Sequence, residues 1–166
     1  MSITQGGKAN KAGKAAEDQI AGYLTAYGYQ ELSNKERAAL NKDIGLGDDP
    51  AQALSCYGDK VFVQQVRGYE TLYGRRHAHD FLAYNATTLP DGLVIEMKWQ
   101  TSGGSVDEKL PFVVGSFKAM PVTTAMLVID GGGIRPCAIE WAIAQNDSKF
   151  IAFGTIGDFS RWIRKN

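Results

Sequence analysis

Leu93-Val94-Ile95-Glu96-Met97-Lys98-Trp99-Gln100 is the stretch on which the reading of this chain turns. Leu93, Ile95, Met97 and Trp99 alternate with Val94, Glu96, Lys98 and Gln100. A period of two is that of a β-strand whose successive side chains point to opposite faces, one apolar throughout and one polar after Val94. Pro90-Asp91-Gly92 supplies a turn before it, and the Gly/Ser-rich residues 102–105 supply a loop after it.

Working outward, residues 15–27 read as a helix, with Ile20, Tyr23, Leu24 and Tyr27 at helical spacing and Gly28 as its stop. Glu17 stands in the first turn, toward the same side as that stripe. Residues 1–14 read as a flexible basic arm, and residues 15–166 as one domain. Residues 31–59 are polar and punctuated, as an insertion would be, with one short helix near 35–40 and a loop at 45–50. Strands are expected at 60–70 and 76–84. A helix over 107–119, a buried strand over 125–129, a helix over 136–145 and a strand over 150–153 follow. Asp130-Gly131-Gly132-Gly133 reads as the turn that ends the buried strand. Thr155 and Asp158 open a last helix carrying Phe159, Trp162 and Ile163. The order predicts an α/β fold, a central mixed sheet flanked by helices.

Composition bounds the function. The 166 residues are 44% hydrophobic and 22% charged, ordinary globular usage that suits one core. Eighteen basic residues balance eighteen acidic ones, so a histone-like polycation is excluded and any polyanion must be met by a local patch. Cys56 and Cys137 are far apart and make neither a disulfide framework nor a zinc ribbon, which suggests a reducing compartment. No segment reads as a signal peptide or a membrane span, and the expectation is a cytoplasmic protein with no membrane partner.

Alternation puts Glu96, Lys98 and Gln100 on one strand face. With Asp80 from the preceding strand, they supply hard oxygen ligands suited to magnesium and an ammonium able to meet a phosphodiester. The composition predicts about one acid-x-lysine triplet by chance. Three occur, at Glu96, Asp107 and Asp147, and only the first ends an alternating strand with an acid on the strand before it. The alternative is a solvated polar face.

Asp80, Glu96-Met97-Lys98 and Gln100, in that order along two strands, resemble the active site of the PD-(D/E)XK nuclease superfamily. Glu17 resembles that family's helical acid. The run from Ile95 to Lys109, the Lys8-Ala9-Asn10-Lys11-x-Gly13 start and the Asp130 to Gly133 strand end look like a subgroup of small restriction-endonuclease-like members. His79 stands where the motif's proline would precede Asp80. The resemblance implies a restriction-endonuclease-like αβββαβ core and Mg2+-dependent hydrolysis of DNA, with Mn2+ as a substitute. It assigns Asp80, Glu96 and Glu17 to the metal, and Lys98 to the water and the developing charge. Gln100 and Glu17 would support the metal shell or the neighbouring phosphate. Glu17 has a simpler reading as an acid near a helix N-terminus, satisfied by the dipole. A homodimer or higher homo-oligomer is expected, because cutting two strands needs two centres. The alternatives are a homing-type or Holliday-junction-resolving nuclease of the same superfamily, or a non-catalytic DNA-binding module that retains the fold.

Lys8, Lys11 and Lys14 on the arm, and Arg75 and Arg76 after the strand at 60–70, are candidates for DNA phosphate contacts; a solubilising tail and a solvated turn are the plainer readings. His77 and His79 share a face opposite Asp80 on a regular strand. Two histidines fall short of a zinc site, and they read as surface residues flanking the acids. Trp99, Trp141 and Trp162 read as core.

Overall fold

The computed structural model describes residues 5–44, 48–121 and 124–166, with side chains from Ala12 onward. Its frame is one mixed sheet of β1 (Gln30–Glu31), β2 (Lys60–Val66), β3 (His79–Asn85), β4 (Leu89–Trp99), β5 (Thr124–Asp130) and β6 (Phe150–Phe153), in that spatial order. β2, β3 and β4 form an antiparallel meander. β4, β5 and β6 run parallel, each pair joined through a helix, as a parallel pair requires. The expected α/β class and mixed central sheet are what the chain adopts.

The helices are α1 (Gln5–Ala26), α2 (Asn34–Asp43), α3 (Pro50–Ser55), α4 (Val106–Ala119), α5 (Pro136–Ala144) and α6 (Ile156–Ile163). α1 and α6 cover one sheet face, where Ile20, Leu24, Phe81, Ile95, Met97 and Phe159 are buried together. The other face packs Leu82, Val94 and Leu127 against Leu54, Val114 and Phe117, brought by α3 and α4. The β4 alternation therefore divides Ile95 and Met97 from Val94 between two separate cores. Thr155 caps α6, its Oγ1 accepting the Asp158 N–H at 3.0 Å, as the sequence suggests.

Several boundaries differ from the sequence reading. α1 begins at Gln5, so residues 5–14, read as a flexible arm, are helical. The Lys8-Ala9-Asn10-Lys11-Ala12 run consists largely of strong helix formers, which outweigh the neighbouring glycines. β2 stops at Val66 and β3 starts only at His79. Between them residues 70–76 fold back on themselves, with an isolated bridge from Glu70 to Arg76 and a turn at Gly74 (φ 63°). The segment 31–59 carries core residues: α2 and α3 bury Leu40, Ala51 and Leu54. Ser33 and Glu36 form a capping box that starts α2, and Asp49 accepts the Ala51 N–H at 2.9 Å to start α3. Of the expected loop at 45–50, residues 45–47 lie outside the described residues and Pro50 opens α3. Trp141 is 40% exposed, so it is not a core residue.

Past Trp99 the chain crosses closely under the end of β5. A Cβ on Gly131 (φ 104°) would lie 2.4 Å from the Gln100 carbonyl oxygen, and one on Gly133 2.3 Å from the Ser102 nitrogen. Two backbones touch here, so the glycines after Asp130 are required by contact as well as by turn geometry. Asp130 fixes the crossing, accepting from the Gly131 N–H at 2.7 Å and the Ile156 N–H at 2.9 Å.

Candidate active site

With a register shift between Ala83 and Asn85, β3 and β4 pair from Asn85 opposite Leu89 to Phe81 opposite Ile95. Beyond that rung the Asp80 side chain takes over from the backbone ladder. Its Oδ2 accepts the Met97 N–H at 2.7 Å, and its Oδ1 accepts from Gln65 Nε2 at 3.3 Å. Gln65 is in the left-handed region (φ 55°), unlike every other described non-glycine residue. The strand's alternation slips at this point. His79 packs 5.8 Å from the Phe117 ring, on the same face as Leu82 three residues later, where regular pleating would separate them.

Glu96 lies on the Val94 face of β4, is only 5% exposed, and is the focus of three cations or potential cations. Lys98 Nζ donates to its Oε1 at 2.5 Å. His77 Nε2 stands 3.6 Å from Oε1, and His79 Nδ1 3.6 Å from Oε2. Burial alone would raise the Glu96 pKa, but His77, His79 and Lys98 together outweigh it and hold the carboxyl well below the usual range. Asp80 moves the other way. Desolvation first, and the Glu96 charge second, push it up to about 6, against the Met97 N–H and Lys98. The arrangement is thus one carboxylate fixed as an anion beside a second that is reluctant to ionise, with an ammonium against the first. Such a pair favours a cation that relieves the crowding.

A family model described as a PD-(D/E)XK nuclease superfamily domain matches residues 8–155. The chain belongs to the PD-(D/E)XK nuclease superfamily. No curated protein and no solved structure matches it. Nucleases of this superfamily generally use divalent metals, and the residues here fit one. Asp80 and Glu96 offer hard oxygen donors, and Glu96 Oε2 is a buried oxygen with no hydrogen-bond partner.

The other residues that resemble PD-(D/E)XK site residues fall into different surroundings. Glu17 is near enough for its charge to add to the upward push on Asp80, and it pairs with Lys14 at 3.7 Å. Gln100 has both ends of its amide engaged by backbone: Nε2 donates to the Gly133 carbonyl at 3.2 Å, and Oε1 accepts the Val106 N–H at 3.3 Å. Because Ser105 makes no side-chain cap on α4, Gln100 fills that position from the preceding strand end. Lys14 donates to Gln64 Oε1 at 3.1 Å and pairs with Asp18 at 3.1 Å. The Lys8 and Lys11 side chains lie outside the described residues. Arg76 donates to the Ile44 carbonyl at 3.2 Å, and Arg75 is exposed.

Sequence reasoning misses three features of this candidate site. His79 is 1% exposed and borders Glu96, contrary to its reading as a surface residue. Gln65 orients Asp80 from a strand that gives no chemical signal. A groove of about 520 Å³ opens beside Gln65, lined by Arg37, Lys42 and Arg67 with Asn41 between them. Asn41 ties the groove together, donating to the Gln65 carbonyl at 3.2 Å and accepting the Arg67 N–H at 2.8 Å. The pair of histidines just before a strand acid is the available signal for the first; the groove joins residues too distant in sequence to be read as a patch.

Proposed function

We propose that this protein is a Mg2+-dependent DNA endonuclease of restriction-like type. The observation that carries the reading is the meeting of Asp80 and Glu96 on adjacent strands with Lys98 2.5 Å from Glu96, within a PD-(D/E)XK domain. Asp80 and Glu96 would hold the divalent cation, and Glu17 stands within charge range as an outer acid. A cation held there supplies charge neutralisation at the scissile phosphodiester and lowers the pKa of a bound water. The Met97 N–H and Gln65 keep the Asp80 carboxylate oriented, so little reorganisation is needed at the moment of reaction. Lys98, on leaving Glu96, donates to the attacking water or to a phosphate oxygen and meets the charge that develops there.

The groove lined by Arg37, Lys42 and Arg67 leads to Gln65, which donates to Asp80, and supports a DNA strand running toward the carboxylates. Lys8, Lys11, Lys14, Arg75 and Arg76 are further phosphate contacts in this reading. Cutting both strands of a duplex calls for two centres, supplied by a homodimer or higher homo-oligomer. Mn2+ satisfies the same oxygen ligands.

Nicking of supercoiled plasmid, with Mg2+ against EDTA, tests the activity. Wild type should convert plasmid only with the metal, and Lys98→Ala should lose conversion while retaining most DNA affinity, because one phosphate contact among several carries little of the total. Equal turnover of Lys98→Ala and wild type would remove Lys98 from catalysis. Absence of Mg2+-dependent conversion on plasmid and on branched DNA would favour the non-catalytic binding module.

A further inference from the structure

We infer that His77, His79 and Glu96 form a transition-metal site, selective for ions of the Zn2+ and Co2+ class, that shares Glu96 with the oxygen site but takes its other ligands from the histidines and none from Asp80. The ligand atoms of these three residues all lie within 4.8 Å of one another. Around a tetrahedral ion with bonds of about 2.0–2.1 Å, ligand atoms stand about 3.3 Å apart, so closure is an inward movement that shortens no separation by more than about 1.5 Å. His77 can make that movement: its side chain is 48% exposed, whereas His79 and Glu96 are fixed in the interior.

The second observation is independent of the clustering. Neither ring nitrogen of His79 makes a hydrogen bond, although the residue is 1% exposed; its Nδ1 faces Glu96 Oε2, which also makes none, at 3.6 Å, a separation too long for a hydrogen bond. Leaving buried polar atoms unmatched costs about 1–3 kcal/mol each, and native interiors rarely tolerate a group of them without a ligand. These residues line a small, half-open pocket of about 20 Å³, walled by Phe112, Val113, Ser116 and Phe117 of α4 and by Thr71. That volume is enough for one water or one ion. Apolar walls on one side and two imidazoles with one carboxylate on the other make a site for a borderline ion. Mg2+, which prefers oxygen ligands and keeps its waters, is disfavoured there. Lys98 holds Glu96 Oε1, leaving Oε2 for the ion.

This inference does not rest on the nuclease reading, and Asp80→Asn separates the two. The experiment uses the full chain without a polyhistidine tag. Co2+ is titrated in, and its visible absorption is followed, since a four- or five-coordinate nitrogen-bearing site absorbs strongly; equilibrium dialysis counts the bound ions. Wild type should take up one Co2+ with that spectrum, displaced by Zn2+ and not by Mg2+. His77→Ala, a change at an exposed side chain, should weaken binding at least about tenfold. Asp80→Asn should retain both the ion and the spectrum. Because His79 variants risk unfolding, His79 is read in the wild type: long-range 1H–15N NMR should show Zn2+ moving the His79 Nδ1 and His77 Nε2 resonances. Absence of uptake, uptake that survives His77→Ala, loss of the ion in Asp80→Asn, or unmoved histidine resonances would each overturn the assignment.

Discussion

Replacing Glu96 by glutamine keeps the side chain's shape, removes its charge and turns one acceptor oxygen into an NH2 donor, which makes it a probe of the carboxylate pair. In the metal-free protein two effects oppose each other. The variant takes away the partner that Lys98 meets at 2.5 Å, but the Lys98 side chain is 21% exposed and can turn to water. The loss should therefore lie nearer the about 1 kcal/mol of a hydrated pair than the roughly 3–5 kcal/mol of a sealed one. Against this, the like charge that pushes Asp80 up disappears, and the Asp80 pKa should fall below about 6. With Mg2+ the contrast widens. An ion bound only by the folded state stabilises by about 2.7 kcal/mol at a hundredfold excess over its dissociation constant. For a chain of this length that is a rise in Tm of roughly 5–11 °C. Glu96→Gln should change the metal-free Tm by a few degrees at most and abolish the Mg2+-dependent rise. Thermal melting across a Mg2+ series reads both, and carboxyl 13C titration reads Asp80. An undiminished Mg2+ rise in Glu96→Gln would refute the assignment of Glu96 to the ion, and an unmoved Asp80 would refute the coupling of the two acids.

Alanine at Arg37, Lys42 and Arg67 together should weaken DNA binding and reduce the slope of log K against log salt by about 0.9 for each phosphate no longer neutralised, as filter binding over a salt series would measure. Asp80 holds its proton more tightly folded, with a pKa of about 6 against 3.8 in a free carboxyl. Its contribution to metal-free stability is therefore greatest below about pH 4, falls as pH rises to about 6 and is level above that; denaturation of Asp80→Asn across this window should lack the decline. Gln100→Leu should lower stability by roughly 1–3 kcal/mol, because two backbone groups forfeit their hydrogen bonds to the amide. It should leave Mg2+ affinity unchanged, whereas a large fall in affinity would return Gln100 to the metal shell.

The parts of this chain legible in its sequence are those set by short periods. The β4 alternation places Glu96 and Lys98 on one face, and the Thr155 cap and the strand at Phe150–Phe153 are local enough to be read directly. Asp80 can be found because its strand adjoins β4. What alternation cannot supply is the slip at Asp80. A regular strand would turn His79 away from Leu82, yet both face α4. That displacement brings His79 to Glu96 while leaving Asp80 to the Met97 N–H. The Gln100 role escapes for a related reason. Its partners, Gly133 and Val106, come from two different parts of the chain, and only their crossing defines what the amide is for.

The slip also explains why two acids on neighbouring strands behave so differently. Had β3 remained regular, Asp80 would face the same side as Glu96 and Lys98 while His79 turned to the opposite face, so the two carboxyls would share Lys98 instead of dividing their partners. Instead the backbone sends His79 to one carboxylate and leaves the other to one peptide N–H and the neutral Gln65 amide. Glu96 stays charged with Lys98, His77 and His79 around it, and Asp80, with less compensation for its burial, keeps its proton until near neutrality. A polyvalent cation is what such an unequal pair lacks, since it can charge Asp80 without withdrawing Lys98 from the neighbourhood of the phosphate. The inequality follows from strand geometry as much as from residue type. Disfavouring the left-handed backbone opposite Asp80, with a β-branched residue at Gln65 compared against asparagine, should therefore move the Asp80 pKa. Valine at this left-handed position should disturb the backbone, whereas asparagine, which tolerates a φ of 55°, shortens the side chain that reaches Asp80 and so controls for loss of the Gln65 hydrogen bond. Equal Asp80 titration in Gln65→Val and Gln65→Asn would show that the left-handed backbone at Gln65 does not govern the acid.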